Sequence, residues 1–231
     1  MSFFITGTDT GVGKTVVTAA LASLLTARGK HVCVYKPVQT GATHPEDLET
    51  VKTLTGLSDL SMHCSYCFEI PAEPLVADTR GEIQIAQLKN DFDRLRQTHE
   101  CVLVEGAGGV HVPITKDASM IDLMKDFGLP VIVVARPNLG TINHTLLTVE
   151  ALLARKIPVH GVVVSGYPVD SDDPAVATLP EIFRLRLPVP LLAWVPVYET
   201  GRMGVLGPGN PQLRVLEAAL NTGQTASCNV L

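Results

Sequence analysis

The sequence predicts an α/β fold, a mostly parallel sheet flanked by helices. Three observations predict it. Apolar runs alternate with amphipathic stretches nearly from end to end of the 231 residues. The runs are continuously apolar, as strands buried on both faces are, rather than alternating in the manner of a half-solvated sheet. The first run also passes through a glycine-rich segment, 7–13, straight into a helical stretch.

The elements follow in order from periodicity. Phe3–Thr6 is the expected first strand. In Lys14–Arg28, residues Val17, Leu21, Leu24 and Leu25 share one helical face, and Gly29 stands where a helix stop belongs. His31–Tyr35 reads as a strand. A weaker helix runs from about Glu46 to Leu54, with Leu48, Val51 and Leu54 on one side. Glu82–Gln97 places Ile85, Leu88, Phe92 and Leu95 on one face, and Cys101–Val104 is an apolar strand ending at Glu105. Helix Ser119–Phe127, strand Val131–Ala135, helix Thr141–Lys156 and strand Val159–Ser165 follow. A helix near Leu179–Leu187 has Pro180 well placed in its first turn. Strand Leu191–Val195 and a closing helix, Gln212–Leu220, complete the order. Arg202–Pro211, rich in glycine and proline, is expected as a loop, and the small, polar tail from Asn221 is expected to fray. No internal repeat is present, so residues 1–231 are expected to form one domain.

Composition narrows the function classes. The chain is 46% hydrophobic and 18% charged, which argues against disorder. A net charge of −5 lacks the basic face that nucleic acid requires. No apolar run approaches the roughly 20 residues of a membrane span, and no secretory leader pattern is seen at the start. Five scattered cysteines suit reduced thiols, so a cytoplasmic location is expected. Cys64 and Cys67 form a lone Cys-x-x-Cys in what reads as an irregular stretch. They have no second ligand pair for zinc and no helix to make a redox motif.

The strongest chemical signal is Gly7-Thr8-Asp9-Thr10-Gly11-Val12-Gly13-Lys14-Thr15 between the first strand and helix. Such a loop aims backbone N–H groups and a helix N-terminus at phosphate oxygens. Lys14 would reach the β- and γ-phosphates, and Thr15 would bind Mg²⁺. The fold expected is therefore P-loop NTPase-like. Five residues separate Gly7 from Gly13, where the common pattern has four. Lys36 and Glu105 end two further strands on the same edge, where ligands of open α/β sheets bind. Glu105 precedes Gly106-Ala107-Gly108-Gly109, and a carboxylate beside such a bend suits Mg²⁺ shared with phosphates. His144, in the first turn of its helix, reads as a polar helix-start residue.

Together these residues resemble dethiobiotin synthetases over most of the chain. The matching segments are the loop at 7–15, Lys36-Pro37-Val38 with Thr40-Gly41, Val104–Gly109, and Leu139-Gly140-Thr141-Ile142-Asn143-His144. The unusual loop spacing belongs to that family's pattern. The resemblance implies a ligase of biotin biosynthesis that makes dethiobiotin from 7,8-diaminopelargonate, CO₂ and ATP. A carbamate and a carbamic-phosphoric anhydride are its intermediates. It implies Lys14, Lys36 and Thr10 as catalytic residues, and Thr15, Asp47 and Glu105 as Mg²⁺ ligands. Gly11, Val12, Gly13, Lys14, Thr15, Val16, Ser165, Gly166 and Pro196 would hold the nucleotide, and Thr40, Gly108, Thr141, Ile142 and Asn143 the substrate. It also implies a homodimer in which Thr141–His144 act in trans. Ser165-Gly166 stands where members can carry an Asn-Asp pair able to read adenine, which implies relaxed base selectivity.

Two other classes share parts of this pattern. Partitioning and cell-division switch ATPases carry a second lysine early in the loop, where this chain has Asp9, and an aspartate where it has Glu105. ATP-dependent amidotransferases add a glutaminase domain, for which 231 residues leave no room.

Overall fold

The computed structural model describes residues 1–168, 171–196 and 216. The elements in chain order are β1 (Phe3–Gly7), α1 (Lys14–Ala27), β2 (Val32–Thr40), α2 (Glu46–Thr55), β3 (Ser61–Phe68), α3 (Pro74–Ala77), α4 (Ile85–Thr98) and β4 (Cys101–Gly109). They continue with α5 (Met120–Phe127), β5 (Val131–Ala135), α6 (Thr141–Ala154), β6 (Val159–Tyr167), α7 (Pro174–Ala177), α8 (Leu179–Arg186) and β7 (Leu191–Pro196). The seven strands form one sheet in the order β3-β2-β4-β1-β5-β6-β7, every pair parallel. The loop expected at 202–211 and the tail from 221 lie outside the described residues, as does the closing helix apart from buried Leu216.

Side chains alternate across the central strands, and each face makes its own core. Phe3, Ile5, Val34, Leu103, Ile132 and Val134 pack with α1 and α2, while Phe4, Tyr35, Val102, Val104 and Val133 pack with α4, α5 and α6. This explains the unbroken apolar runs, since neither face of these strands meets water.

Three differences from the sequence reading matter for function. First, 61–68, expected to be irregular, is the edge strand β3. Its residues are nearly all half-buried and mix polar with apolar, so no apolar run announces it. Cys64 and Cys67 therefore sit on a strand. Their thiols donate to the carbonyls of Tyr66 (3.2 Å) and Ala42 (3.3 Å). Burial pushes the Cys64 thiol up to about 11, and burial also raises Cys67. Second, β2, β4 and β6 run past the continuous apolar runs expected to end them, to Thr40, Gly109 and Tyr167. Lys36 and Glu105 thus lie inside strands rather than at their ends. Third, α4 starts at Ile85 rather than Glu82, because Asp78 instead accepts the N–H groups of Glu82 and Ile83 (both 2.8 Å).

The sheet opens where the site lies. The β2–β4 pairing stops at Tyr35↔Val104, whereas β2 stays paired with β3 as far as Thr40↔Phe68. Pro37, which has no N–H to donate, falls just past that last pair. The crevice between the parted ends of β2 and β4 lies beside the loop that follows β1.

Candidate active site

Strand alternation decides which side chains meet. Val34 pairs with Leu103 in the face toward α1, so Lys36 and Glu105, two residues on, project from the same face. Lys36 Nζ donates to Glu105 Oε1 at 2.9 Å and to the Gly106 carbonyl at 3.3 Å, and forms an ion pair with Asp47. Asp47 reaches it from the first turn of α2, which Leu48 and Val51 anchor in the same core. The Thr15 hydroxyl, in the first turn of α1, donates to Glu105 Oε1 at 3.0 Å. Lys36 and Glu105 are essentially inaccessible, with side chains 3% and 1% exposed.

Charge follows from this packing. Burial opposes the Lys36 ammonium, but the Glu105 and Asp47 carboxylates together hold its pKa above the ordinary lysine value. Burial likewise opposes the Asp47 carboxylate, and Lys36 overrides it, so Asp47 titrates below the usual range. Lys14 makes no ion pair among the described residues, and the attraction of Glu105, Asp47 and Asp9 does not offset what opposes its charge. Burial first, then repulsion from Lys36, lowers its pKa to about 8. Its ammonium folds back to donate to the Asp9 carbonyl at 3.2 Å.

The loop is held from several sides. Thr8 N–H donates to Val134 O (2.9 Å), tying the loop to β5. Asp9 Oδ1 accepts the Thr10 N–H at 2.7 Å, and Asp9 Oδ2 lies 3.4 Å from Arg136, just past β5. Gly13 has φ +97°, and a Cβ there would stand 2.8 Å from Ser165 Cβ and closer still to its hydroxyl. Only glycine combines that backbone with that approach.

A cavity of about 400 Å³ gathers Thr10, Gly11, Gly13, Lys14, Thr15, Lys36, Thr40, Asp47, Glu105 and Gly108 from the sequence reading, and adds Val38, Gln39 and Ala107. Val12 is buried core and Val16 packs against the core, so neither side chain lines it. Ser165 is buried against Gly13, with Gly166 beside it, and Pro196 ends β7. Thr141, Ile142 and Asn143 open α6 apart from the cavity. Thr141 is buried and its N–H is spent on the Asn138 carbonyl (3.0 Å), whereas Asn143 is exposed.

Sequence reasoning missed Gln39, whose Oε1 accepts the Asp47 N–H at 3.4 Å, and Arg136, the partner of Asp9. A strand read on to Thr40 would have placed Gln39 in the site. No local signal marks Arg136.

The donors suit a hard cation. Glu105 Oε2 is buried without a hydrogen-bond partner, beside the Thr15 hydroxyl and near Asp47. Among the described residues no cluster of three or more His, Cys, Asp or Glu could hold a metal by protein ligands alone. One or two carboxylates with phosphate and water completing the shell is how Mg²⁺ is usually held.

Comparison with known proteins decides the family. The ATP-dependent dethiobiotin synthetase BioD of Bacillus subtilis (strain 168) is 40% identical over 201 residues, covering 84% of this chain and 86% of that protein. The synthetase of Anaeromyxobacter dehalogenans is 42% identical over 84% of this chain and 90% of its own. The chain belongs to the ATP-dependent dethiobiotin synthetase family. A family model described as an AAA domain matches residues 1–200. The synthetase fold is shared with the MinD cell division protein of Aquifex aeolicus (TM-score 0.63, 16% identity, 98% of both chains). A ParA family ATPase from Chlorobium tepidum matches with TM-score 0.59 at 15% identity, covering 95% of this chain and 98% of that one. No helix among the described residues is long and apolar enough to cross a membrane.

Proposed function

We propose that this chain carries out the ATP- and Mg²⁺-dependent carboxylation and ring closure of 7,8-diaminopelargonate to dethiobiotin. The observation that carries the reading is the cluster of buried Lys36 and Glu105 with half-buried Asp47 beside the phosphate loop in a member of this family. The substrate brings both nucleophiles. One amine adds to CO₂ and, on losing a proton, becomes a carbamate, and a carbamate oxygen then takes the γ-phosphoryl group from ATP. The second amine attacks the carbonyl carbon, expels phosphate, gives up a proton and closes the ureido ring.

The protein's share is positioning and charge neutralisation. Loop N–H groups from Gly11 to Val16 and the start of α1 receive the phosphates. Lys14 exchanges the Asp9 carbonyl for a phosphate oxygen, and that anion favours its charged form. Lys36 presents a second positive charge, already desolvated, and reaches the transferring group by exchanging one of its present acceptors, Glu105, Asp47 or the Gly106 carbonyl, for a phosphoryl oxygen. Thr15, Asp47 and Glu105 would hold Mg²⁺, which supplies charge neutralisation on the phosphoryl oxygens when bound. The hydroxyls of Thr10 and Thr40, with Gly108, face the carbamate end. Ser165, Gly166 and Pro196 flank the base.

A homodimer is part of this reading. Asn143, His144 and Leu147 share an exposed face of α6, and Leu139 just before it is 86% exposed. Pairing across that face would bring the start of α6, with Thr141, Ile142 and Asn143, to the partner's substrate. The positive end of the helix suits a carboxylate there.

The test is product formation. Purified protein with ATP, Mg²⁺, bicarbonate and the diamine should yield dethiobiotin by mass spectrometry, with phosphate release that depends on the diamine. Turnover of ATP that ignores the diamine would overturn the reading in favour of a nucleotide switch.

A further inference from the structure

A second cavity, about 330 Å³, opens off the first and shares Thr10, Thr40, Ala107 and Gly108 with it. Its remaining walls are Pro71, Ala72, Pro74 and Val112, and a single ionisable residue, Glu73. The segment carrying Glu73 is well fixed. Gly41 N–H donates to Ile70 O (3.1 Å) and Leu75 N–H to Pro113 O (3.2 Å), while the Glu73 carbonyl accepts the N–H groups of Val76 and Ala77 (both 2.8 Å). The Glu73 side chain, by contrast, is exposed at the start of α3 and takes part in no ion pair among the described residues and in no helix-capping bond.

Three carboxylates line the two cavities, and two of them are committed. Asp47 and Glu105 both bind Lys36. Glu73 alone is left for a cationic ligand, and it faces hydroxyls and aliphatic walls rather than lysines. We propose that Glu73 is a substrate-binding, specificity-determining residue that receives an ammonium group of the diamine. This rests on the function proposed above and names what that reading leaves open, how the site tells a diamine from a monoamine. With one nitrogen at Thr10 and Thr40 awaiting CO₂, the vicinal nitrogen is still an ammonium. An ammonium held by a carboxylate is a charge-assisted contact, stronger than a neutral one. A monoamine of the same length presents nothing to Glu73 once its only nitrogen is placed at the threonines.

The test compares wild type with Glu73→Gln, an isosteric change at an exposed position. Calorimetry with a non-hydrolysable ATP analogue bound would measure the affinities of 7,8-diaminopelargonate and of 8-aminononanoate. Wild type should prefer the diamine by at least tenfold. The variant should lose that preference by weakening the diamine alone, with its affinity for the ATP analogue unchanged. In turnover, the KM for the diamine should rise at least tenfold. An unchanged diamine affinity or KM in Glu73→Gln overturns the proposal, and so does equal wild-type affinity for the two amines. The two readings fail separately. Wild type that binds the diamine through Glu73 but forms no dethiobiotin refutes the proposed function and leaves the ammonium site standing. Wild type that forms dethiobiotin with a Glu73-independent KM does the reverse.

Discussion

Replacing Lys36 with methionine removes the one cation on which two carboxylates converge. Breaking a buried ion pair from one side costs about 3–5 kcal/mol, because the remaining charge stays desolvated. Here the cost falls mainly on Glu105. Its side chain is 1% exposed, and without Lys36 its one hydrogen bond among the described residues is from the Thr15 hydroxyl at 3.0 Å. Asp47, 32% exposed at its side chain, can turn to water and recovers part of the loss. At roughly 2–4 °C per kcal/mol for a chain of this size, Lys36→Met should lower Tm by about 6–20 °C. The assay is calorimetric melting at pH 7.5 without nucleotide. Adding Glu105→Gln should return a substantial part of the loss, since glutamine still accepts from Thr15 but carries no charge to strand. The pH dependence has a definite sign. Lys36 titrates above its ordinary value, so its contribution is complete below about pH 10.4 and is lost as pH rises through the higher folded value. Asp47 titrates below its ordinary value, so its contribution is complete above about pH 3.9 and is lost as pH falls through the lower folded value. The gap between wild type and variant should therefore be flat from about pH 5 to 7, shift through about pH 8 as Lys14 loses the charge that Lys36 repels, and narrow at both extremes. A Tm shift under about 2 °C, or a double variant no better than the single one, would refute the reasoning.

Lys14→Met should cut turnover by orders of magnitude yet raise nucleotide-free stability at pH 7 by about 1–3 kcal/mol. Burial and Lys36 depress the Lys14 pKa to about 8, so the penalty it removes is present below that value and gone above about pH 10.4. Equal melting of variant and wild type at pH 7 would count against this. Gly13→Ala should abolish nucleotide binding, and pairing it with Ser165→Gly should restore part of it by removing the clash while leaving φ +97° unsuited to alanine. Identical damage in both variants would exclude the clash as the cause. Ser165 is packed against Gly13 and offers no two-point contact to adenine, so kcat/KM for ATP, CTP, GTP and ITP should agree within about 100-fold. A larger preference for ATP would mean that other groups read the base.

The central strands were legible because they are buried on both faces, and unbroken apolar runs such as Phe3–Ile5 or Val131–Ala135 have no other economical explanation. The same signal fails wherever a strand leaves the core. β3 lies at the sheet edge, and its Ser-Met-His-Cys-Ser-Tyr-Cys-Phe sequence reads as irregular because half-burial tolerates polar side chains. The C-terminal halves of β2 and β4 were cut short for the opposite reason. Lys36, Gln39 and Glu105 are polar residues buried by the site itself, and composition alone reads them as strand ends. A sequence reading therefore stops a strand where function begins.

The candidate site divides along the same line. Lys14 and Thr15 were legible because the loop and the start of α1 are contiguous, so spacing alone brings them to one place. The contact between Lys36 and Glu105 spans 69 positions and depends on register. Val34 must lie against Leu103, and both strands must then keep alternation for two more residues. A slip of one residue in β2 would turn Lys36 to the face of α4 and α5, among Leu88, Phe92 and Phe127, and leave Glu105 without its ion-pair partner. Asp47 adds a third condition, since it reaches Lys36 only while Leu48 and Val51 seat α2 against α1. The motif specifies a phosphate loop. The charge cluster that gives the loop its chemistry is specified by the packing of the apolar residues on either side of it.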